Sequence, residues 1–238
     1  PGSILYEIID LPKLCKIAHA HNVPVAIDNT YSSGYLLNPL NLGVDISVIA
    51  ATKYLSGHSD LTMGIVVINE KEWKNFDKLP EALGFTASPD DAYLVLRGMR
   101  TLDIRLKAHE ASTDKVAEFF ASQKLVKTIF YPKLKTHPNH EVFVRDFKGA
   151  NGMITIEFND EVSNDEALKF VDNLKLFSIG ASWGGYESLA TVTVPPRTAV
   201  DLSKSGVFVR FHIGLEDIDD LLDDLKQAFA KIKTKGAK

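Results

Sequence analysis

Two short apolar runs near the start of the chain predict buried β-strands. They are PVAID and VDISVIAA, and both have the length and the β-branched content of strands inside a sheet. Asp28 closes the first run, and Lys53 follows shortly after the second. If the two strands are parallel neighbours in an α/β sheet, both side chains emerge at its carboxyl edge, where ligands bind in open sheets. The pattern therefore points to this edge as the candidate site.

The apolar spacing around these strands predicts alternating helices and strands. Residues 10–21 show helical spacing, and Asp10 is suited to cap that helix. The elements predicted in this part, in chain order, are a helix at 10–21, strands at 23–28, 45–50 and 64–69, and a helix at 70–83. A rhythm of strand, connection and strand predicts an α/β fold with a mostly parallel sheet.

The predicted order of helices and strands changes in the second half of the chain. Residues 89–122 have helical spacing almost throughout, with a break expected near Gly98. Beyond them, strands are predicted in LVKTIFY, GMITIEF, SLATVTV and VFVRFHIG, and helices at 163–174 and 216–232. This alternation predicts a smaller α+β domain. We place the boundary near residue 100, which divides the chain into domains at 1–99 and 100–238.

Composition narrows the class of protein. The 238 residues are 45% hydrophobic and 24% charged with a net charge of −4, which is typical of globular proteins and gives no general attraction to nucleic acid. No apolar stretch approaches the roughly 20 residues that span a bilayer. The single cysteine, Cys15, excludes an internal disulfide framework and fits a reducing cytoplasm. We therefore expect a cytoplasmic protein without nucleic-acid or membrane partners.

A metal site at Cys15 is the weaker of two interpretations. His19 is four residues further on and shares a helical face with Cys15, but His21 does not. The other interpretation is a core thiol beside surface histidines, and we expect no metal.

Lys53 has the surroundings of a reactive amine. It follows Ala50, Ala51 and Thr52, small residues that would let a bulky group approach the backbone. Burial of a lysine lowers its pKa and makes the neutral amine available for a Schiff base, and the Thr52 hydroxyl suits a phosphate oxygen. A nearby Asp28 would be buried and would need a cationic partner. Two interpretations follow: a Lys53–Asp28 ion pair, or a site for pyridoxal 5′-phosphate (PLP).

Longer motifs carry a resemblance to a known family. The segments are DNTYSSGYLLNPLNLGVDISVIAATKYLSGHSD, GYESL and VRFHIGLEDIDDL, so the resemblance extends over nearly the whole chain. They resemble the fold type I, PLP-dependent enzymes of cysteine and methionine metabolism. Within that family PGS, IAATKYLSGHSD and SWGGYESL are similar to members that cleave cystathionine at Cβ. The resemblance implies the rear part of a mostly parallel seven-stranded sheet domain, followed by a smaller α+β domain.

The resemblance implies roles in binding the cofactor. Lys53 would form the covalent link to PLP and then shuttle protons. Asp28 would pair with the pyridine nitrogen, and Thr52 would bind the phosphate. Ser3, in the PGS motif, would also lie against the cofactor. His58 and Asp60 would shape the loop that follows Lys53.

The resemblance also implies roles in binding the substrate. Arg210 would clamp the substrate α-carboxylate, because a guanidinium forms two parallel hydrogen bonds to it. The alternative for Arg210 is a strand arginine paired with an acid. Ser182 and Trp183 would lie in a loop closing over the same carboxylate, and Tyr31 would be a wall of the site. Ala181 stands where members cleaving at Cβ often have tyrosine.

The implied reaction is α,β-elimination, which releases a thiol, pyruvate and ammonia from a small amino-acid substrate. Two alternatives stay open: a sister enzyme acting at Cγ, and a truncated chain without catalysis. Family members also carry a longer N-terminal portion, so we expect this chain to be the C-terminal part of a longer protein. The resemblance implies a homotetramer built as a dimer of dimers.

Overall fold

The computed structural model describes residues 1–197, 202 and 205–234 of the chain. The first ten elements, in chain order, are helix α1 (Leu11–Ala20), strand β1 (Ala26–Asp28), a 3-10 helix (Pro39–Leu42), β2 (Ile46–Ala50), β3 (Gly64–Ile68), α2 (Glu70–Phe76), α3 (Leu79–Leu83), α4 (Pro89–Met99), α5 (Leu102–Ser122) and β4 (Val126–Phe130). The remaining elements are α6 (His140–Asp146), β5 (Met153–Phe158), α7 (Asn164–Asp172), β6 (Ser178–Ile179), β7 (Leu189–Thr193), β8 (Phe208–His212) and α8 (Ile218–Phe229).

The first sheet has the order β1-β2-β3. Strands β1 and β2 are parallel, with Asp28 opposite Val48, as the sequence predicts for this pair. Strand β3 is antiparallel to β2, which differs from the parallel arrangement expected. A parallel pair needs a crossover, usually a helix, whereas residues 51–63 between β2 and β3 contain turns and no helix. The chain therefore turns back beside β2.

The second sheet has the order β4-β5-β8-β7-β6. Its strands pair antiparallel except β6 and β7, which are parallel. All six residues of β5 are buried, so this strand lies in the centre of the core. Strand β8 runs between β5 and β7 and carries Arg210, which is paired with Thr155 on one side and Thr191 on the other. The four strands predicted in this half are present; β6 and helix α6 were not predicted.

An aromatic cluster fills the core between the second sheet and helices α5, α7 and α8. The ring centroids of Phe170 and Phe229 are 4.8 Å apart, and those of Phe120 and Phe211 are 5.1 Å apart. Such contacts add to the large apolar area that each ring buries. This cluster fixes β8 firmly and, with it, the position of Arg210.

Local sequence explains where the predicted helices begin and end. Asp10 caps α1, since its carboxylate accepts a hydrogen bond from the backbone N–H of Lys13. The single helix predicted at 70–83 is two helices, because Pro80 has no N–H to donate to Phe76 and its ring crowds that carbonyl. The break expected near Gly98 lies at residues 100–101.

Among the described residues, no helix combines the length and the apolar character needed to cross a membrane. Cys15 is buried, and His19 Nε2 donates a 2.8 Å hydrogen bond to the Asp45 carboxylate. The division of the chain near residue 100 stays a prediction.

Candidate active site

Lys53 lies in a tight turn directly after β2. Its N–H donates to the carbonyl of Ala50 at 3.1 Å, and its own carbonyl accepts from the N–H of Gly57 at 2.8 Å. The guanidinium of Arg105, on α5, donates to the carbonyl of Tyr54 at 2.8 Å. Arg105 is buried and fixes this turn against α5. Sequence reasoning did not single out Arg105, because nothing in the apolar pattern marks a buried arginine.

The amine of Lys53 is half-buried beside the loop that follows β6. Its Nζ donates a hydrogen bond to Ser182 Oγ at 2.8 Å and lies 5.5 Å from the centroid of the Trp183 ring. Burial lowers the pKa of Lys53 below its ordinary value, and the positive charge of Arg210 lowers that pKa further. The surroundings therefore favour the neutral, nucleophilic form of the amine.

Arg210 holds the backbone of the same loop. Its guanidinium donates to the carbonyl of Ala181 at 2.6 Å and, more weakly, to the carbonyl of Ser182 at 3.5 Å. In the part of the chain that the structure describes, Arg210 forms no salt bridge. The alternative of a strand arginine paired with an acid is thus not what the geometry shows, and the guanidinium retains donors for a carboxylate.

Asp28 lies at the carboxyl end of β1, as the pattern predicts. Its carboxylate accepts a hydrogen bond from the backbone N–H of Thr30 at 2.9 Å. The Thr30 hydroxyl in turn accepts from the N–H of Ala50 at 2.9 Å, which ties the ends of β1 and β2 together. Asp28 is exposed, so the expectation of a buried carboxylate was wrong. The reason is that β1 is an edge strand of the described sheet.

The ion-pair interpretation of Lys53 and Asp28 finds no support. Among the described residues these two form no salt bridge. The Lys53 amine bonds Ser182, whereas the Asp28 carboxylate bonds the Thr30 N–H.

A cavity of about 220 Å³ brings most of the predicted residues together. Its lining consists of Pro1, Gly2, Ser3, Ile4, Tyr6, Asp28, Thr30, Tyr31, Met153, Trp183 and Arg210. Lys53 is not among the lining residues, but its Nζ lies 5.5 Å from the ring centroid of Trp183, which does line the cavity. A larger cavity of about 630 Å³ shares Ser3 and Asp28 with it.

Thr52 is the predicted residue that fits least well. It does not line the smaller cavity among the described residues, and its hydroxyl accepts a hydrogen bond from the N–H of Met63 at 3.1 Å. The Thr52 N–H also donates to the Met63 carbonyl at 3.3 Å. In this arrangement, Thr52 fixes the turn between β2 and β3.

The residues present match the chemistry that PLP requires. A lysine with a lowered pKa suits the aldehyde, and a carboxylate in the cavity lining suits the protonated pyridine nitrogen. The hydroxyls of Ser3 and Thr30 add polar groups to the lining. The cavity therefore fits the cofactor in its donor set.

Other residues singled out in the sequence lie nearby. Tyr31 is buried in the wall of the cavity, with its ring centroid 5.9 Å from that of Tyr6. His58 is exposed and its Nδ1 bonds the carbonyl of Ser56 at 2.5 Å. These contacts are what a wall residue and a loop-shaping residue make.

A buried cluster beneath the lysine turn was missed. It consists of Tyr54, His109 and His212, whose rings lie within 5.2–5.7 Å of one another. Burial depresses the pKa of His109 to about 4 and that of His212 to about 3. A signal for His212 was available: it lies two residues after Arg210 in a predicted strand, so both share one face of the sheet.

Three relatives show how far this architecture is shared. A cystathionine beta-lyase from Haemophilus influenzae is 39% identical over 239 residues, and an L-alanine/L-glutamate racemase from Wolbachia pipientis is 37% identical over 235 residues. Each match covers 98% of this chain but only 60% and 58% of the relative. The crystal structure of a cystathionine gamma synthase from Xanthomonas oryzae superposes with a TM-score of 0.89 at 35% identity, over 97% of this chain and 61% of that one.

The chain thus spans about three-fifths of the length of the relatives it matches. Three differently named activities occur among these relatives, so similarity alone leaves the reaction open. The family itself is shown by the sequence model of the Cys/Met metabolism PLP-dependent enzymes, which matches residues 1–230. The chain belongs to the family of PLP-dependent enzymes of Cys/Met metabolism, whose fold type I architecture its structural neighbours share.

Proposed function

We propose that this protein is a carbon–sulfur lyase that cleaves L-cystathionine at Cβ, releasing homocysteine, pyruvate and ammonia. The observation that carries the proposal is the position of Lys53. Its amine has a lowered pKa, bonds Ser182 at 2.8 Å and lies beside Trp183, which lines a cavity together with Asp28 and Arg210. We infer that this cavity and the adjoining amine form one site with a nucleophile, a carboxylate and a guanidinium.

Bound PLP supplies an electron sink for the negative charge that forms at the substrate Cα. Lys53 would hold the cofactor through its Nζ and, when released, would take the Cα proton and deliver a proton to the leaving sulfur. Asp28 would keep a proton on the pyridine nitrogen. Ser3 and Thr52 would contact the cofactor; of these two, Ser3 lines the cavity.

Arg210 would bind the substrate α-carboxylate through the N–H groups that the Ala181 and Ser182 carbonyls leave free. Trp183 would cover the site and exclude water. Because Arg210 lies in the central part of the second sheet, it would hold the substrate against a rigid wall.

Cleavage at Cβ is favoured over cleavage at Cγ by the cystathionine beta-lyase similarity and by Trp183 and Ser3, which the sequence resemblance associates with Cβ cleavage. The γ-synthase structural neighbour keeps a Cγ-directed enzyme as the second candidate. The test is to supply L-cystathionine to the PLP-loaded protein and to identify the products. Pyruvate with homocysteine supports the proposal, whereas 2-oxobutyrate with cysteine identifies the second candidate.

The same assay separates further outcomes. A Lys53→Ala variant serves as the control for trace contamination. Conversion of L-alanine to D-alanine without pyruvate would assign a racemase instead. No conversion of either substrate, with PLP bound, would indicate a chain without catalysis.

The proposal also includes a cytoplasmic location, a dimer-of-dimers homotetramer, and domains at 1–99 and 100–238.

A further inference from the structure

A buried aromatic and imidazole cluster lies directly under the proposed site and has no part in the chemistry described so far. His212 follows Arg210 by two residues on β8, and Tyr54 follows Lys53 directly in the chain. Both side chains are almost completely buried, with exposed fractions of 1% and 0%. The Tyr54 ring also lies 5.6 Å from the ring of Trp183. The cluster thus contacts both halves of the site.

Hydrogen-bond contacts connect this cluster to a glycine turn. The N–H of Gly152 donates to Tyr54 Oη at 3.0 Å, and Tyr54 Oη lies 3.5 Å from His212 Nδ1. On the other side of the imidazole ring, the Gly184 N–H donates to His212 Nε2 at 3.1 Å, and the same nitrogen lies 3.0 Å from the carbonyl oxygen of Gly185. His212 thus joins Tyr54 to both residues of the Gly184–Gly185 turn.

The glycine turn held by His212 is packed against the lysine turn itself. Gly184 has φ of +83°, which favours glycine. A Cβ at this position would be 2.7 Å from the N atom of Tyr54 and 2.9 Å from the carbonyl carbon of Lys53. The loop that carries Ser182 and Trp183 can therefore approach Lys53 only through this bare backbone, and His212 is what fixes the turn from below.

We propose that His212, oriented by Tyr54, is a positioning residue that holds the Gly184–Gly185 turn and so places Ser182 and Trp183 over Lys53. This inference deepens the proposed function and rests on it for its kinetic consequence. Its structural consequence, the position of Trp183, is independent of the reaction.

Trp183 itself provides the measurement. The chain contains two tryptophans, and the other, Trp73, is half-exposed on α2. In a Trp73→Phe background, acrylamide quenching of fluorescence reports Trp183 alone. It is measured for His212→Leu, His212→Gln, Tyr54→Phe and His109→Gln, in both the PLP-loaded and the cofactor-free protein. His109→Gln is the matched control, because His109 packs in the same cluster but bonds the carbonyl of Ile213 rather than the glycine turn.

We expect His212→Leu to raise the quenching of Trp183 and to lower kcat by about 10- to 100-fold, because a shift of about 1 Å in a positioned group has effects of this size. His212→Gln keeps a polar side chain that can bond the Gly184–Gly185 backbone, so it should restore most of both readouts. Tyr54→Phe should raise the quenching, since the imidazole then loses its contact with the Tyr54 hydroxyl at Nδ1. His109→Gln should lower the unfolding temperature without changing Trp183.

Unchanged quenching in His212→Leu would overturn the inference, and so would an equal rise in His109→Gln, which would show that only cluster packing matters. If His212→Leu does not fold, Tyr54→Phe decides in the same way. If the parent protein forms no product from cystathionine, the proposed function fails, but the quenching comparison still tests the position of Trp183.

Discussion

The two regions on either side of residue 100 contribute to the site in different ways. In the first, each strand of the three-stranded sheet is partly exposed, and Val66 and Val67 of β3 are 56% and 43% exposed. In the second, β5 is buried at every residue and its sheet carries the aromatic cluster. Lys53 and Asp28 belong to the first region, and Arg210 to the second. The residues proposed to carry the chemistry thus lie on the more exposed region, while the proposed substrate clamp lies on the more deeply packed one.

Because the proposed site residues come from both regions, the site depends on contacts between them. The hydrogen bond from Lys53 to Ser182 and the packing of Gly184 on the Lys53–Tyr54 backbone are such contacts. Substitutions of the reactive groups in the first region should therefore affect turnover most, and substitutions in the core of the second region should affect stability most.

The largest effect is expected for Lys53→Ala. The variant should lose turnover by about 10⁴-fold or more, because one residue supplies both the cofactor link and the proton transfers. It should also lose the visible absorbance of covalently bound cofactor. Both are measured on purified protein by product assay and absorbance. Lys53→Arg is the matched control for charge and should be equally inactive; turnover retained by either variant would contradict the assignment.

Stability should depend on the aromatic cluster of the second region. Phe211→Ala removes a fully buried ring that contacts Phe120, Phe170 and Phe177, and should lower the free energy of unfolding by about 3–5 kcal/mol. Phe85→Ala, whose ring is 71% exposed in the first region, is the matched control and should change it by less than about 0.5 kcal/mol. Urea unfolding measures both. Equal losses would contradict the contrast between the regions.

Arg210→Ala should mainly weaken substrate binding. In the proposed complex, Arg210 pairs with the substrate α-carboxylate, and loss of one partner from such a pair costs about 2–5 kcal/mol of binding free energy. The effect should appear in KM more than in kcat. Because the Arg210 charge contributes to the lowered pKa of Lys53, that pKa should rise in the variant. Steady-state kinetics across pH measure both effects. Arg210→Lys keeps the charge but not the paired donors and should fall between parent and Ala; an unchanged KM would argue against the clamp.

The smallest effect concerns acid stability. His109 has a pKa of about 4 when folded, against an ordinary value near 6.5, so between these values the unfolded chain binds a proton that the folded chain does not. The contribution of His109 to the free energy of unfolding is therefore fully present above about pH 6.5. It falls on acidification, by at most about 1.4 kcal/mol per pH unit for one histidine. His109→Gln should therefore flatten the dependence measured by urea unfolding from pH 7 to 4.5. An unaltered slope in His109→Gln would show that this imidazole is not buried in neutral form.

The sequence predicted the elements well because their apolar periods are strong. Asp10 and the helical spacing of residues 10–21 predicted α1, and the apolar segment VFVRFHIG predicted β8. It could not predict the antiparallel pairing of β3, because a strand carries no mark of its direction. The exposure of Asp28 was missed since a strand-end carboxylate looks the same on an edge strand and on a central one. Arg105 was missed because its partners are backbone carbonyls, which no side-chain motif encodes.

The roles of Lys53 and Asp28 were proposed from residue type, whereas Tyr54 and His212 emerged only from the structure. Their hydrogen bonds join residues separated by 158 positions, and no local pattern connects them. Local sequence patterns do not predict polar contacts between residues so far apart in the chain.

The most direct test of the central claim is to locate the cofactor on the chain. The PLP-loaded protein is reduced with borohydride, digested and analysed by mass spectrometry. We expect the mass gain of a reduced phosphopyridoxyl group on the peptide that contains Lys53, and its absence from the same peptide of Lys53→Arg. A gain on another lysine, or none on protein that shows the visible band of bound cofactor, would refute the role proposed for Lys53.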